Sequence, residues 1–196
     1  FRSNGGAYDL SRFDLDDGNT WPTGTRLPEA RYWMPTYDQW ALASFYDPSR
    51  HGEGHAGWWT YLNRRDRLGI PGPPGAGETS ANWDPDDPNY NARRNPIASY
   101  PNSQSPWGLL DTSGTFREQL DDQWPFGLDR LTAGSTAGPF VFPDLDAYSE
   151  TPGWYGTNSP VFGSPTSLRI ATSIPSVPAW HILGGAVAIT LTRRRR

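Results

Sequence analysis

The chain has 196 residues, enough for one domain or two small ones; its 21 glycines and 20 prolines favour loops, and its 10 Trp, 9 Tyr and 8 Phe supply the apolar area for an irregular, aromatic core. All 17 basic residues are arginine and there is no cysteine, which excludes a lysine Schiff base, a Walker-type phosphate loop, thiolate nucleophiles, Cys-bound metals and disulfides. The net charge is −4 and the last four residues are all arginine, so the remainder is more acidic still and would repel nucleic-acid phosphates.

The chain opens on Phe1 with neither a methionine nor a secretory apolar segment, so it is expected to be a fragment cut at its start. Residues 1–35 are polar and aromatic, with turn signals at Asn4-Gly5-Gly6 and Asp17-Gly18-Asn19. Thr36, preceded by Pro35 and followed three residues on by Gln39, predicts a capping box. The short helix it starts carries Trp40, Ala41, Ala43 and Phe45 and ends near Asp47-Pro48. From His51 to Pro101 loop predominates, interrupted by the aromatic segment Trp58-Trp59-Thr60-Tyr61, and Ser80 to Tyr100 is dense in Asp and Asn. Residues 106–120 read as a compact motif around Pro106-Trp107-Gly108-Leu109-Leu110-Asp111, and short strands are expected near 140–142 and 168–172.

The end differs in kind. Ala179 to Leu191 is uncharged and Arg193–Arg196 follow at once. As a helix, Val177–Thr192 would reach about 24 Å, short of a bilayer core of about 30 Å but extended by snorkelling arginines. The positive-inside rule would keep the arginines cytoplasmic and leave the domain outside. The competing reading is an amphipathic surface helix.

Several clusters invite a chemical reading. His51-Gly52-Glu53-Gly54-His55 brings three possible metal ligands together, but its glycines oppose the helix that would align both imidazoles, so it reads as a solvated loop. Asp14–Asn19 and Asp84–Asn89 gather oxygen ligands without EF-hand spacing and read as acidic turns. No Gly-x-Ser-x-Gly elbow is present, and nothing singles out a carboxylate pair for glycoside hydrolysis.

A series of segments, in order, resembles the formylglycine-generating-enzyme/sulfatase-modifying-factor family. Gly6-Ala7-Tyr8-Asp9-Leu10, Tyr32–Trp40, Phe45-Tyr46-Asp47-Pro48 and Gly57–Tyr61 are similar to its motifs. So are Ser80-Ala81-Asn82-Trp83, Ser99–Asn102, Ser105–Asp111 and Leu168-Arg169-Ile170-Ala171, and the likeness spans residues 5–172. It implies an irregular, loop-rich α+β domain related to C-type lectins. The family's oxidase uses copper held by two cysteines, or iron held by histidines, and the resemblance carries neither donor set over. It does imply structural calcium, at Ser113, Gly114, Phe116 and Glu118, and at a second place formed by Asn82, Trp83, Asn89 and Asn91. The tail, with Ile174-Pro175-Ser176-Val177-Pro178 ahead of it, is similar to a bacterial PEP-CTERM sorting signal.

These features divide the chain into a sulfatase-modifying-factor-like domain (1–172), a Pro-marked linker (173–178), a transmembrane or sorting helix (179–192) and a basic tail (193–196). The expected protein is exported, held at the membrane by its tail and passed by a processing protease to the cell surface or exopolysaccharide. There it acts as a non-catalytic binding domain for carbohydrate or a surface protein. The alternative is an enzyme of altered chemistry on the same fold. Converging carboxylates with raised pKa would mark the enzyme; an open aromatic surface would mark the binding domain.

Overall fold

The computed structural model describes residues 7–9, 25–81, 95–114, 116–123, 130–135, 151–152, 156–157 and 166–172. Within them the chain is an irregular, loop-rich α+β fold: one helix and a set of small sheets. The helix, α1, runs Tyr37–Phe45 and begins where the sequence predicts. Thr36 is extended; its hydroxyl accepts from the Gln39 N–H at 3.3 Å, while the Gln39 side chain accepts from the Thr36 N–H at 3.1 Å. Asp38 in the first turn complements the positive end of the helix. Trp40, Ala41, Ser44 and Phe45 fall on one face by three- and four-residue spacing, and all are buried. The helix stops slightly earlier than the sequence suggests, because Tyr46–Asp47 is drawn out as strand β4 to pair with β5, Gly57–Trp58.

The largest sheet has four strands: β6, Arg117–Gln123; β7, Arg130–Ala133; β8, Gly156–Thr157; and β9, Thr166–Leu168. Their order is β8-β7-β6-β9, with β6 and β9 parallel and the other neighbours antiparallel. Register runs Glu118↔Ala133 and Gln119↔Thr132, then shifts before Gln123↔Arg130, a bulge that lets β6 bend. Along β6 the alternate residues Glu118 and Leu120 turn inward. Leu120, Leu131 and Ala133 pack with Trp40, Ala41, Phe45 and Leu62 as the apolar core, and Tyr37 closes its edge. The Trp40 and Phe45 rings meet edge-on at 5.7 Å.

Two further strand pairs complete the described fold. β1, Tyr8–Asp9, joins β2, Thr25–Arg26; β3, Tyr32–Trp33, joins β10, Ala171–Thr172. The strand expected at 168–172 is thus split, one part in the main sheet and one on β3, with Arg169 and Ile170 between. The strand expected near 140–142 and the tail from 173 onward lie outside the described residues. Among the described residues no helix is long and apolar enough to cross a membrane.

Loops close against this core through small hydroxyls rather than aliphatic groups. The Thr79 and Ser113 hydroxyls meet at 2.6 Å, Thr112 donates to the Asn63 side chain at 3.1 Å, and the Gly114 N–H donates to Ser135 at 2.7 Å. Gly114 has φ +77°, and a Cβ there would collide with Ser80 and the Ala81 N–H, so only glycine fits. Because the N-cap rests on the Thr36 hydroxyl, Thr36→Ala is expected to lower unfolding stability by about 1 kcal/mol in a urea titration, whereas Thr36→Ser should leave it near the parent value.

Candidate functional site

The Ser105–Leu109 segment forms a tight turn that presents a tryptophan to solvent. The Ser105 N–H donates to the Leu109 carbonyl at 2.9 Å, and the Ser105 hydroxyl accepts from the N–H groups of Trp107 and Leu109 at 3.2 and 3.1 Å. Gly108, at φ +80°, supplies the left-handed step. Trp107 therefore stands 56% exposed, but its indole N–H donates to the Tyr46 carbonyl at 2.9 Å, which fixes it against the β4–β5 ribbon. The Tyr46 ring in turn meets Trp58 at 5.4 Å, and Trp58 is itself 46% exposed. Two indoles are held half in water by polar and ring contacts behind them.

Trp59, the next residue, turns to different partners. Its indole N–H donates to Asp47 at 3.1 Å, and the Arg50 guanidinium lies 4.6 Å from its ring centroid. Trp59 lines an open cleft of about 540 Å³ together with Asn63, Arg64, Arg65, Pro101, Asn102 and Gln104. Tyr61 and Arg65 bridge across a short turn, and the two residues Asn63 and Arg64 sit left-handed at φ 62° and 60°. Asn63 tolerates this conformation and is anchored by Thr112; an arginine adopts it at a cost. Arg65 is held by Glu78 and Ser103, both at 3.1 Å, and Arg50 by Asp66 at 2.6 Å. Arg64 is exposed and forms no ion pair with a described residue.

The carboxylates around this region are held ionised. The Ser49 N–H, then the Trp59 and Ser49 side chains and the charge of Arg64, keep Asp47 below its ordinary value. Burial alone would raise Asp66, but hydrogen bonds from Thr60 and Arg50 outweigh it and lower it. The two-pronged hydrogen bond from Arg67, at 2.8 and 2.9 Å, together with the Ile70 N–H and Arg65, brings Glu78 down to about 2. None of the three is poised as a proton donor near neutral pH.

Of the ligands that the resemblance implies, Asn82, Trp83, Asn89 and Asn91 lie outside the described residues. The acidic runs at 14–19 and 84–89 lie outside them too. Ser113, Gly114 and Glu118 are buried and Phe116 is half-buried. Ser113 bonds Thr79, the Gly114 carbonyl accepts from Phe116, and Glu118 points into the core. One Glu118 oxygen accepts from the Trp40 indole N–H; the other takes the Arg169 Nε at 2.9 Å and its terminal nitrogen as well. Arg169 also donates to the Leu110 carbonyl at 3.0 Å. Burial alone would lower the Arg169 guanidinium, yet Glu118 raises it by hydrogen bond and charge. A calcium ion on Glu118 would have to take the place of that guanidinium. His51, Glu53 and His55 stand exposed on a loop closed by His51 and His55 backbone bonds. Among the described residues no three His, Cys, Asp or Glu gather as a metal site.

Sequence reasoning singled out the Trp58–Tyr61 segment and the Trp107 motif but passed over Asn63-Arg64-Arg65. The available signal was a run of arginines directly after an asparagine suited to a left-handed turn. No family model matches the chain, and no curated protein matches it. Among solved structures, it is similar to "Crystal Structure of CarF" with a TM-score of 0.45 and 19% identity, over 77% of this chain and 51% of that one. This chain therefore spans about half the length of that one.

Replacing Glu118 by Gln keeps its shape and strands the Arg169 charge. The expected loss is about 3 kcal/mol in chemical denaturation, equal in calcium and in chelator. A loss seen only in calcium would assign the carboxylate the metal-binding role that the resemblance implies.

Proposed function

We propose that this chain is a non-catalytic saccharide-binding domain that stacks its ligand on the Trp58–Trp107 face. The observation that carries the reading is the pair of half-exposed indoles immobilised through Tyr46, whose carbonyl holds Trp107 and whose ring meets Trp58. Exposed tryptophans cost free energy in water, and a fixed flat ring loses little entropy when the apolar face of a sugar ring covers it. The low carboxylates of Asp47, Asp66 and Glu78, which contact Trp59, Arg50 and Arg65 respectively, favour binding over acid–base catalysis.

The scaffold we assign is a divergent sulfatase-modifying-factor-like domain related to C-type lectins. Supporting it are the ordered motif segments and the contact between two of them: Leu168–Ala171 contributes Arg169, which reaches the Leu110 carbonyl of Ser105–Asp111. The family's copper does not fit, since thiolates hold it and this chain has no cysteine. Residues 179–192 and the terminal arginines are proposed to act as a membrane-inserting sorting signal on an exported protein, on the strength of the uncharged run followed by four arginines. Cell-surface polysaccharide is then the natural partner.

The test is a fluorescence titration of the protein against a panel of neutral and acidic oligosaccharides. Binding should perturb tryptophan emission, and Trp107→Ala or Trp58→Ala should each weaken it by about three- to tenfold, equivalent to the roughly 0.5–1.5 kcal/mol of a ring contact. Unchanged affinity in both variants, or no binding to any member, would contradict the reading.

A further inference from the structure

We infer that the cleft beside Trp59 is a subsite for the carboxylate of an acidic saccharide, with Arg64 as its counter-charge. The inference rests on the saccharide-binding reading above and adds the chemical class of the ligand.

Three observations converge on it. The first is the distribution of charge. Among the described residues the cleft lining contains arginine, asparagine, glutamine, tryptophan and proline but no acid. Its neighbours Arg50 and Arg65 are already matched, by Asp66 at 2.6 Å and by Glu78 at 3.1 Å. Arg64 is exposed at this cleft with no ion pair to a described residue; its field is felt at Asp47, a residue committed to Trp59 and Ser49. An anion entering the cleft would meet a guanidinium with no ion-pair partner to displace among the described residues.

The second is backbone conformation. Arg64 is held at φ 60°, beside Asn63 at φ 62°, where a residue with a Cβ is seldom found. The Tyr61–Arg65 bridge and the buried Asn63–Thr112 bond over-determine that turn. The fixed turn holds Arg64 on the cleft lining in advance, and preorganisation of this kind lowers the ordering cost of binding.

The third is what surrounds the charge. Trp59 offers a ring, and Asn102 and Gln104 of the same lining are exposed amides able both to donate to and to accept from hydroxyls. A ring, amides and one guanidinium match a sugar that carries a carboxylate, since the planar fork of arginine pairs two oxygens at once. Loop and ribbon connect this subsite to the stacking face: Gln104 lies on the loop that carries Trp107, and Trp59 follows Trp58. Neighbouring units of one chain could thus be read by both.

The probe is an oligogalacturonate compared with its methyl ester, which keeps the sugar and removes the charge. At low salt the protein should bind the acid at least tenfold more tightly than the ester. Arg64→Gln should erase that preference by weakening the acid far more than the ester with the melting temperature unchanged, and Trp107→Ala should weaken both ligands while keeping the preference. Equal affinity for acid and ester would overturn this inference and leave saccharide binding standing. Failure of every sugar to bind would overturn the reading beneath it. Binding of poly-glutamate as tightly as the oligogalacturonate would show a general anion site and would overturn the saccharide assignment of the cleft.

Discussion

The Glu118 carboxylate is the point on which the described fold converges. It lies on β6, faces the core with 3% of its surface exposed, and touches α1 through the Trp40 indole and the 166–172 segment through Arg169. Arg169 extends the tie to the Leu110 carbonyl, next to the turn that presents Trp107. A buried acid without a counter-charge would be costly, so these partners are required to stay together. Helix, sheet, closing strand and ligand-presenting loop thereby share one constraint. Among the described residues the buried apolar cluster is small, so apolar packing there supplies a modest core.

Polar stitching adds definition to this core. Hydroxyls of Thr79, Thr112, Ser113 and Ser135 bond one loop to another. Such contacts are individually worth about 1 kcal/mol, but each also fixes a direction. The outcome is a surface on which Trp58 and Trp107 are exposed without being loose, and on which the Asn63–Arg64 turn holds an unfavourable backbone. Exposure and strain at such positions are where binding sites are commonly found.

The helix was legible because its signals are local: Thr36 and Gln39 cap within one turn, and Trp40, Ala41 and Phe45 repeat at helical spacing. The central strand β6 was not. Its sequence, Arg117-Glu118-Gln119-Leu120-Asp121-Asp122-Gln123, carries a single aliphatic residue, and one inward position holds an acid rather than an apolar group. Alternation cannot be read when the partner that neutralises the buried residue lies some fifty positions away, at Arg169. For the same reason Glu118 was legible as a residue of note but not as half of an ion pair. The aromatic half of the candidate site could be read from composition, since tryptophans stand out. The arginine half could not, because whether an arginine is matched depends on Asp66 and Glu78 reaching it in space.

The central claim is that the Glu118–Arg169 tie governs helix, sheet and Trp107 loop together, and hydrogen–deuterium exchange on Arg169→Lys tests it most directly. Lysine keeps the charge but cannot span Glu118 and the Leu110 carbonyl at once. The account predicts faster exchange in α1, in β6 and across residues 105–111 together, relative to the parent protein. Faster exchange confined to residues 166–172 would contradict it.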